Sequence, residues 1–285
     1  MSYIKNLVID KYNIINRNKI PIQYCVDKVK KNKVNLMYCN RDKNIGDNIS
    51  KVVYEYMLKI KHIDSEILIE DTKFLYAIGS IIDFGRQDAT IWGSGCINEY
   101  CDLNLFKDKK IGRKLDIRAV RGPETRKLLI NVGFDCPEIY GDPAVIMPLI
   151  YNPDVKKKYK VSFIKHLNGQ LDSKWVKSLD GNIININTDD YKYFINEIKA
   201  SELVISSSLH GIILAESYNV PAVFVASDVK RQIFKYYDWY EATERYEFPI
   251  ASTYKAAMYM DVVELPNLEK MRNEIIQAFP YDIYV

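Results

Sequence analysis

From Val34 onward the chain alternates between two rhythms. Short apolar runs end in small or polar residues, and each is followed by a stretch whose apolar residues recur three and four positions apart. Val34 to Cys39 reads as a strand. Asn44-Ile45-Gly46-Asp47 reads as a turn and a helix start, with glycine permitting the turn and Asp47 as the N-cap. Ile49, Val52, Val53, Tyr56 and Ile60 then fall on one face of that helix. Phe74 to Ile82, Ala89 to Trp92 and Ile117 to Val120 predict further strands. Arg121-Gly122 closes the last of them, Pro123 suits the first position of the next helix, and Gly133 stops it. Ile139-Tyr140 leads into another strand-end turn, Gly141-Asp142-Pro143.

After Tyr151 the rhythm repeats. Strands are expected at Val161 to Ile164, Ile183 to Ile186, Leu203 to Ile205 and Ala222 to Val225, with helices near Tyr191 to Ala200, Leu209 to Tyr218 and Asn267 to Ala278. Strands alternating with helices predict parallel sheets covered by helices on both faces. The expected fold class is therefore α/β, with two parallel-sheet domains facing a cleft. The first is residues 1–150, carrying a Lys/Asn-rich N-terminal arm over 1–33, and the second is residues 151–285. Tyr151 to Tyr159, with Pro153 and Lys156-Lys157-Lys158, reads as the linker. The hinge falls near residues 148–160, and the Asn267 to Ala278 helix is placed to pack back across it. In such sheets ligands bind beyond the carboxyl ends of the strands, which selects the loops to examine.

Composition narrows the partners. Lys and Arg number 40 against 37 Asp and Glu, a net charge of +3 on 285 residues, so the chain lacks the basic excess of a nucleic-acid binder. The balance leaves room for a local anion site, or for peripheral attraction to an acidic membrane surface. Met1 to Asp10 has no apolar core of a signal peptide, and no apolar run approaches the ~20 residues that span a bilayer. Cys25, Cys39, Cys96, Cys101 and Cys136 form no CxxC pair and read as reduced thiols of a cytoplasmic protein, with no metal site expected.

The strongest chemistry lies in Leu203-Val204-Ile205-Ser206-Ser207-Ser208-Leu209-His210-Gly211, where an apolar strand runs through three serines into a helix. Ser207 or Ser208 starts that helix, whose unpaired N–H groups suit a phosphate or carboxylate, and His210 stands in its first turn. Glu216 falls on the otherwise apolar stripe of Leu209, Ile212 and Ile213, so it is either salt-bridged to a loop or holds substrate. His166, after Lys165, follows a second strand end. Arg121 offers a bidentate anion contact beside Gly122, whereas Arg118 suits a surface cation. Trp92-Gly93-Ser94-Gly95 lacks the third glycine of a dinucleotide loop and reads as two glycines allowing close ligand approach. The aromatic run Phe234, Tyr236, Tyr237, Trp239, Tyr240 reads mostly as packing, with one or two rings able to stack on a sugar.

Several segments, taken in order, resemble the polysaccharide pyruvyl transferase family. They are Asn44-Ile45-Gly46-Asp47-Asn48, Trp92-Gly93-Ser94-Gly95, Val120-Arg121-Gly122-Pro123-Glu124-Thr125, Gly141-Asp142-Pro143-Ala144, Ile164-Lys165-His166, Ser206-Ser207-Ser208-Leu209-His210-Gly211 and Phe234-Lys235-Tyr236-Tyr237-Asp238-Trp239-Tyr240. The resemblance implies a GT-B-like pair of Rossmann-like domains. It also implies transfer of pyruvate from phosphoenolpyruvate, as co-substrate without further cofactor, to two hydroxyls of a sugar, free or lipid-linked. His210, His166 and Asp47 become the expected acid–base groups. Arg121, Ser207, Ser208, Gly211, Gly46, Asn48, Ser94, Gly95, Lys165, Lys235 and Glu216 become the expected substrate contacts. Many members carry Arg directly before the Leu-His pair. Here Ser208 stands there, so Arg121 and at least one of Lys165, Lys230, Arg231 or Lys235 are expected to meet the donor's charge. A GT-B glycosyltransferase using a nucleotide-sugar, with Glu216 on the ribose, and a non-catalytic glycan-binding relative are the alternatives.

Overall fold

The computed structural model describes residues 29–39, 43–84, 87–101, 113–166, 169–227 and 232–285. Most of the expected N-terminal arm, Cys25, Lys230 and Arg231 lie outside the described residues. Two parallel sheets organise the rest, in the α/β, GT-B-like arrangement expected. The first holds β1 (Val34–Met37), β2 (Lys73–Tyr76), β3 (Ala89–Trp92) and β4 (Leu115–Ala119) in sequential order. Val34 lies opposite Lys73, Leu75 opposite Thr90 and Ile91 opposite Ile117, with a bulge between Ile91 and Trp92. The second sheet holds β5 (Ser162–Ile164), β6 (Asn182–Ile183), β7 (Val204–Ser206), β8 (Ala222–Val225) and β9 (Ile250–Ala251), in the order β6-β5-β7-β8-β9. Its winding direction reverses between β5 and β7, and a crevice opens at such a switch point.

Helix α1 (Ile45–Ile60) presents Ile45, Ile49, Val53 and Met57 to the core. Each such side chain contributes roughly 1.5–3 kcal/mol on burial. Its N-cap is Asn44, whose side chain accepts from the Gly46 N–H, so Asp47 is not the cap but a first-turn residue. Helix α2 (Pro123–Asn131) starts on the expected proline. A 3-10 turn (Pro143–Ile146) runs into the short α3 (Met147–Ile150), and α4 (Ser173–Ser178) and α5 (Tyr191–Lys199) follow in the second half. Next come α6 (Leu209–Ser217), α7 (Phe234–Ala242), α8 (Tyr254–Ala257) and α9 (Glu269–Gln277). The aromatic run is α7, with Phe234, Tyr236, Trp239 and Tyr240 buried as packing and Tyr237 exposed.

One hydrophobic cluster joins the two sheets. It runs from Leu75 and Ile49 through Ala144–Met147 to Ile212, Ile213 and Phe224, and on to Ile275 and Phe279. Helix α9 returns to the first sheet, where Trp92 Nε1 donates to the Ile275 carbonyl at 2.8 Å. The Phe279 ring meets Trp92 edge-on at 4.8 Å. Arg118 completes this contact as a surface cation, donating to both carboxylate oxygens of Asp282 at 3.0 and 2.6 Å.

Candidate active site

A cavity of about 240 Å³ opens where the carboxyl ends of both sheets face each other. Cys39 follows β1, Gly79 and Ser80 follow β2, His166 follows β5 and Ile186 follows β6. Asn44 and Asp47 approach from the start of α1, Ser208 and His210 from the start of α6, Gln232 from just before α7 and Lys235 from its first turn. A larger hollow, about 630 Å³, lies at the amino ends of β2, β3 and β4. Of its wall, Asp116 and Asp282 are both held by Arg118, and Asp88 accepts from the Lys114 backbone N–H. Parallel sheets place ligands at the opposite end, so the smaller cavity is the candidate site.

The serine run is a scaffold. Ser206 Oγ accepts from the Ser208 N–H and donates to the Ser208 carbonyl, both at 2.9 Å. Ser207 is buried, and its Oγ accepts from the His166 N–H at 2.8 Å and lies 2.6 Å from the Tyr254 hydroxyl. Tyr236 donates its hydroxyl to the Ser207 carbonyl at 2.7 Å. Ser208 is the N-cap of α6, and the first intrahelical bond runs from the Ile212 N–H to its carbonyl. The first-turn N–H groups therefore have no carbonyl of their own turn and give this helix end its positive pole. Gly211 packs closely on its Cα side, where an added Cβ would lie 2.4 Å from Ser206 Oγ.

His210 is 13% exposed and bridges the two halves. Its ring lies against Gly46 in the first turn of α1, where an added Cβ would sit 2.0 Å from Nδ1. On its other side Nε2 lies 3.4 Å from Asp142 Oδ2. Asp142 is buried, and its Oδ1 accepts from the Ala144 N–H at 3.0 Å to cap the 3-10 turn. In the sequence Asp142 is a turn residue. The signal available was Gly141-Asp142-Pro143, a capping aspartate at a strand end. Lys235 reaches the cavity wall with Nζ 2.9 Å from Gln232 Oε1 and 5.3 Å above the Tyr236 ring, so a cation does join His210 there.

Other expected contacts lie elsewhere. Arg121 is 1% exposed and forms no part of the cavity wall. Its Nε donates to Asp238 Oδ2, its Nη1 to Ser80 Oγ at 2.6 Å, and its Nη2 to the Cys96 carbonyl. Asp238 also accepts from the Thr125 N–H and hydroxyl. Burial pushes the Asp238 carboxyl above its ordinary range, opposed by the Arg121 charge and the Thr125 donors. Arg121 thus steadies Ser80 from behind the wall. The glycines of Trp92-Gly93-Ser94-Gly95 admit protein, not ligand. A Cβ on Gly93, at φ +84°, would strike the Pro143 ring, and one on Gly95 would strike the Arg121 guanidinium. Ser94 is buried and donates to the Gly79 carbonyl at 2.9 Å. Glu216 is the salt bridge of the two readings offered for it. Arg245 binds both its oxygens at 2.7 and 2.8 Å, and Trp239 Nε1 donates to it at 2.9 Å. Asn48 ties α1 to the second half, donating to the Thr188 carbonyl at 3.3 Å. Lys165 is half-buried after β5 and outside the cavity wall.

The chain is similar to known proteins. Over 207 residues the chain is 30% identical to the succinoglycan biosynthesis protein ExoV of Rhizobium meliloti (strain 1021), covering 69% of this chain and 60% of that protein. It therefore spans less than two thirds of that relative's length. An uncharacterised protein, L143, of Acanthamoeba polyphaga mimivirus is 25% identical over 214 residues, 71% of each chain. A crystal structure of a functionally uncharacterised protein from Klebsiella pneumoniae subsp. pneumoniae shares the fold, with a TM-score of 0.50 at 14% identity over 76% of this chain and 92% of that one. The profile of the polysaccharide pyruvyl transferase family matches residues 44–229, from the Asn44 cap of α1 past the Ser208 and His210 start of α6. That stretch carries Asn44, Asp47, His166, Ser208 and His210 of the cavity wall, and the chain belongs to the polysaccharide pyruvyl transferase family.

Proposed function

We propose that this protein transfers pyruvate from phosphoenolpyruvate to two hydroxyls of a sugar in a bacterial surface polysaccharide or its precursor, free or lipid-linked, forming a cyclic ketal and releasing phosphate. The observation that carries this reading is the meeting of His210, His166, Asp47 and Lys235 with the amino end of α6 in one cavity. Family membership supports the reaction class, and the Rhizobium meliloti relative, named for succinoglycan biosynthesis, supports a polysaccharide acceptor. The reaction runs on the cytoplasmic side, free or at the inner membrane face. Among the described residues no helix is long and apolar enough to cross a membrane.

Phosphoenolpyruvate brings a phosphate and a carboxylate, for which the α6 N–H groups and the Lys235 ammonium are the partners. A proton delivered to its methylene carbon makes that carbon a methyl and leaves the adjacent carbon electron-poor. The first sugar hydroxyl adds there, the bond from that carbon to the phosphate oxygen breaks, and the second hydroxyl closes the ring. Of the two hydroxyl protons, one balances the proton given to the methylene and the other leaves with phosphate. An acid and a base are needed, and His210 and His166 fill these roles. Asp47 orients or deprotonates an acceptor hydroxyl. The scheme uses no further cofactor. The nucleotide-sugar alternative loses its ribose partner, because Glu216 is held by Arg245 and Trp239.

The test is phosphate release from phosphoenolpyruvate with a panel of glycan and glycolipid acceptors bearing neighbouring hydroxyls. His210→Gln, folded by its melting curve, is expected to lower the rate about 10²- to 10⁴-fold, since glutamine cannot titrate. Phosphoenolpyruvate is expected to raise the melting temperature of the wild-type protein. Stabilisation by a nucleotide-sugar alone, or by glycan alone with no phosphate release, would overturn the reading.

A further inference from the structure

We infer that Asp142 is a positioning residue for His210: its carboxylate accepts from the Nε2–H of the neutral imidazole and leaves Nδ1 as the working nitrogen. This rests on the pyruvyl-transfer reading for its consequence in turnover, but not for the pairing itself. Asp142 Oδ2 and His210 Nε2 are both buried, and neither has a hydrogen-bond partner. They face each other at 3.4 Å. Two buried polar atoms without partners are costly separately and complementary together, provided the proton sits on Nε2. The opposite tautomer would set the Nε2 lone pair against a carboxylate oxygen. The separation is long for a hydrogen bond. Such contacts are commonly loose before substrate binds and tighten in the complex.

The carboxylate is held in place by the backbone around it. Its Oδ1 is fixed on the Ala144 N–H. The preceding Gly141, at φ +144°, packs so closely on α9 that a Cβ would fall 2.7 Å from the Met271 side chain. The following Pro143 is pressed against Gly93. Asp142 therefore offers Oδ2 to the ring from a rigid turn. On the ring's other edge Gly46 has no side chain to cover Nδ1, the place where any other residue would put its Cβ. When the ring gains a second proton during turnover, Oδ2 is the carboxylate oxygen beside the imidazolium, and Nδ1 carries the proton to or from the reactants.

Asp142→Asn keeps the volume and the capping of the Ala144 N–H, since asparagine caps as well as aspartate. Its amide nitrogen can then face Nε2 as a donor and force the proton onto Nδ1. The chain has three histidines, so ¹⁵N-histidine labelling, with His210→Gln to assign the signals, reads the His210 tautomer without substrate. Wild-type protein is expected to carry the neutral proton on Nε2, and Asp142→Asn on Nδ1. In phosphate release, kcat of the variant is expected to fall about 10²-fold or more, with KM for phosphoenolpyruvate little changed. An unchanged tautomer in Asp142→Asn overturns the pairing. A changed tautomer with normal kcat overturns the positioning role. If the wild-type protein releases no phosphate with any acceptor, the function reading fails, and the tautomer alone still decides the pairing.

Discussion

The Arg121 Nε donates to Asp238 Oδ2 at 2.9 Å, and both side chains are out of water, at 1% and 0% exposure. The pair fastens the end of β4 to α7 at a point where the backbones nearly touch, since a Cβ on Gly122 would lie 1.8 Å from the Asp238 carbonyl oxygen. Breaking a buried pair from one side leaves an uncompensated charge and typically costs 3–5 kcal/mol. Arg121→Ala is therefore expected to lose about 3–5 kcal/mol in denaturant unfolding. Burial already raises the Asp238 carboxyl, and removing Arg121 raises it further. A carboxyl raised in the folded state favours folding only while protonated. The deficit should be smallest below about pH 4, the ordinary carboxyl value, and grow as pH rises from there. A deficit that shrinks on going from pH 4 to pH 7 would contradict this pairing.

Lys235 is the cation at the cavity wall among the expected donor contacts. Losing one charge-assisted contact costs about 1.5–3 kcal/mol of binding. Lys235→Ala should raise the apparent constant for phosphoenolpyruvate about tenfold or more. On folded protein Arg121→Ala should change that constant less. The reverse order would return Arg121 to the donor.

Gly46→Ala separates local helix preference from site geometry. Alanine is the better helix former by up to about 1 kcal/mol. Its Cβ would nevertheless fall 2.0 Å from His210 Nδ1 and drive the ring out of place. The variant should keep its helical circular dichroism and lose about 10²-fold in kcat, the scale of an ångström-level misplacement. Full activity would mean that the ring works from another rotamer.

Thiol chemistry reads the same cavity independently. Burial pushes the Cys136 thiol up to about 12, against the lowering effect of Arg126, so at pH 8 it is almost wholly protonated. Cys39 is half-buried and lines the cavity. With iodoacetamide and peptide mapping, Cys39 is expected to react ahead of Cys96, Cys101 and Cys136, and phosphoenolpyruvate to slow it. Cys136 should react on unfolding. Equal labelling of Cys136 and Cys39 in folded protein would refute the assignment.

The strand–helix rhythm was legible because each element's period is local. Ala89–Trp92 and Ala222–Val225 appear where the pattern puts them. Helix α7 was not read as a helix, because apolar or aromatic side chains face nearly all sides of it and leave no amphipathic period. The candidate site was legible where chemistry sits at strand ends, as with His210, His166 and Asp47. It was misread where a polar residue serves another polar residue. Arg121 looks like an anion clamp until Asp238, over a hundred residues away, is seen to occupy it. Glu216 reads equally as a salt bridge or a substrate contact until Arg245 is seen to take both its oxygens. Asp142 is the opposite case, because a turn aspartate gives no hint that a histidine from the first turn of α6 stands beside it.

Residues 269–284 close over the first sheet, with Ile275 on Trp92, Tyr281 on the Met57 carbonyl and Asp282 on Arg118. Synthesis on the ribosome runs from the amino end, so β1 to β4 emerge long before the segment that covers them. The Trp92 side of that sheet stays open to solvent, or to a chaperone, until every strand of the second sheet has been made. The half synthesised first is thus the half completed last. Misfolding during synthesis should begin at β3 and α1, whose apolar surface waits longest for its partner.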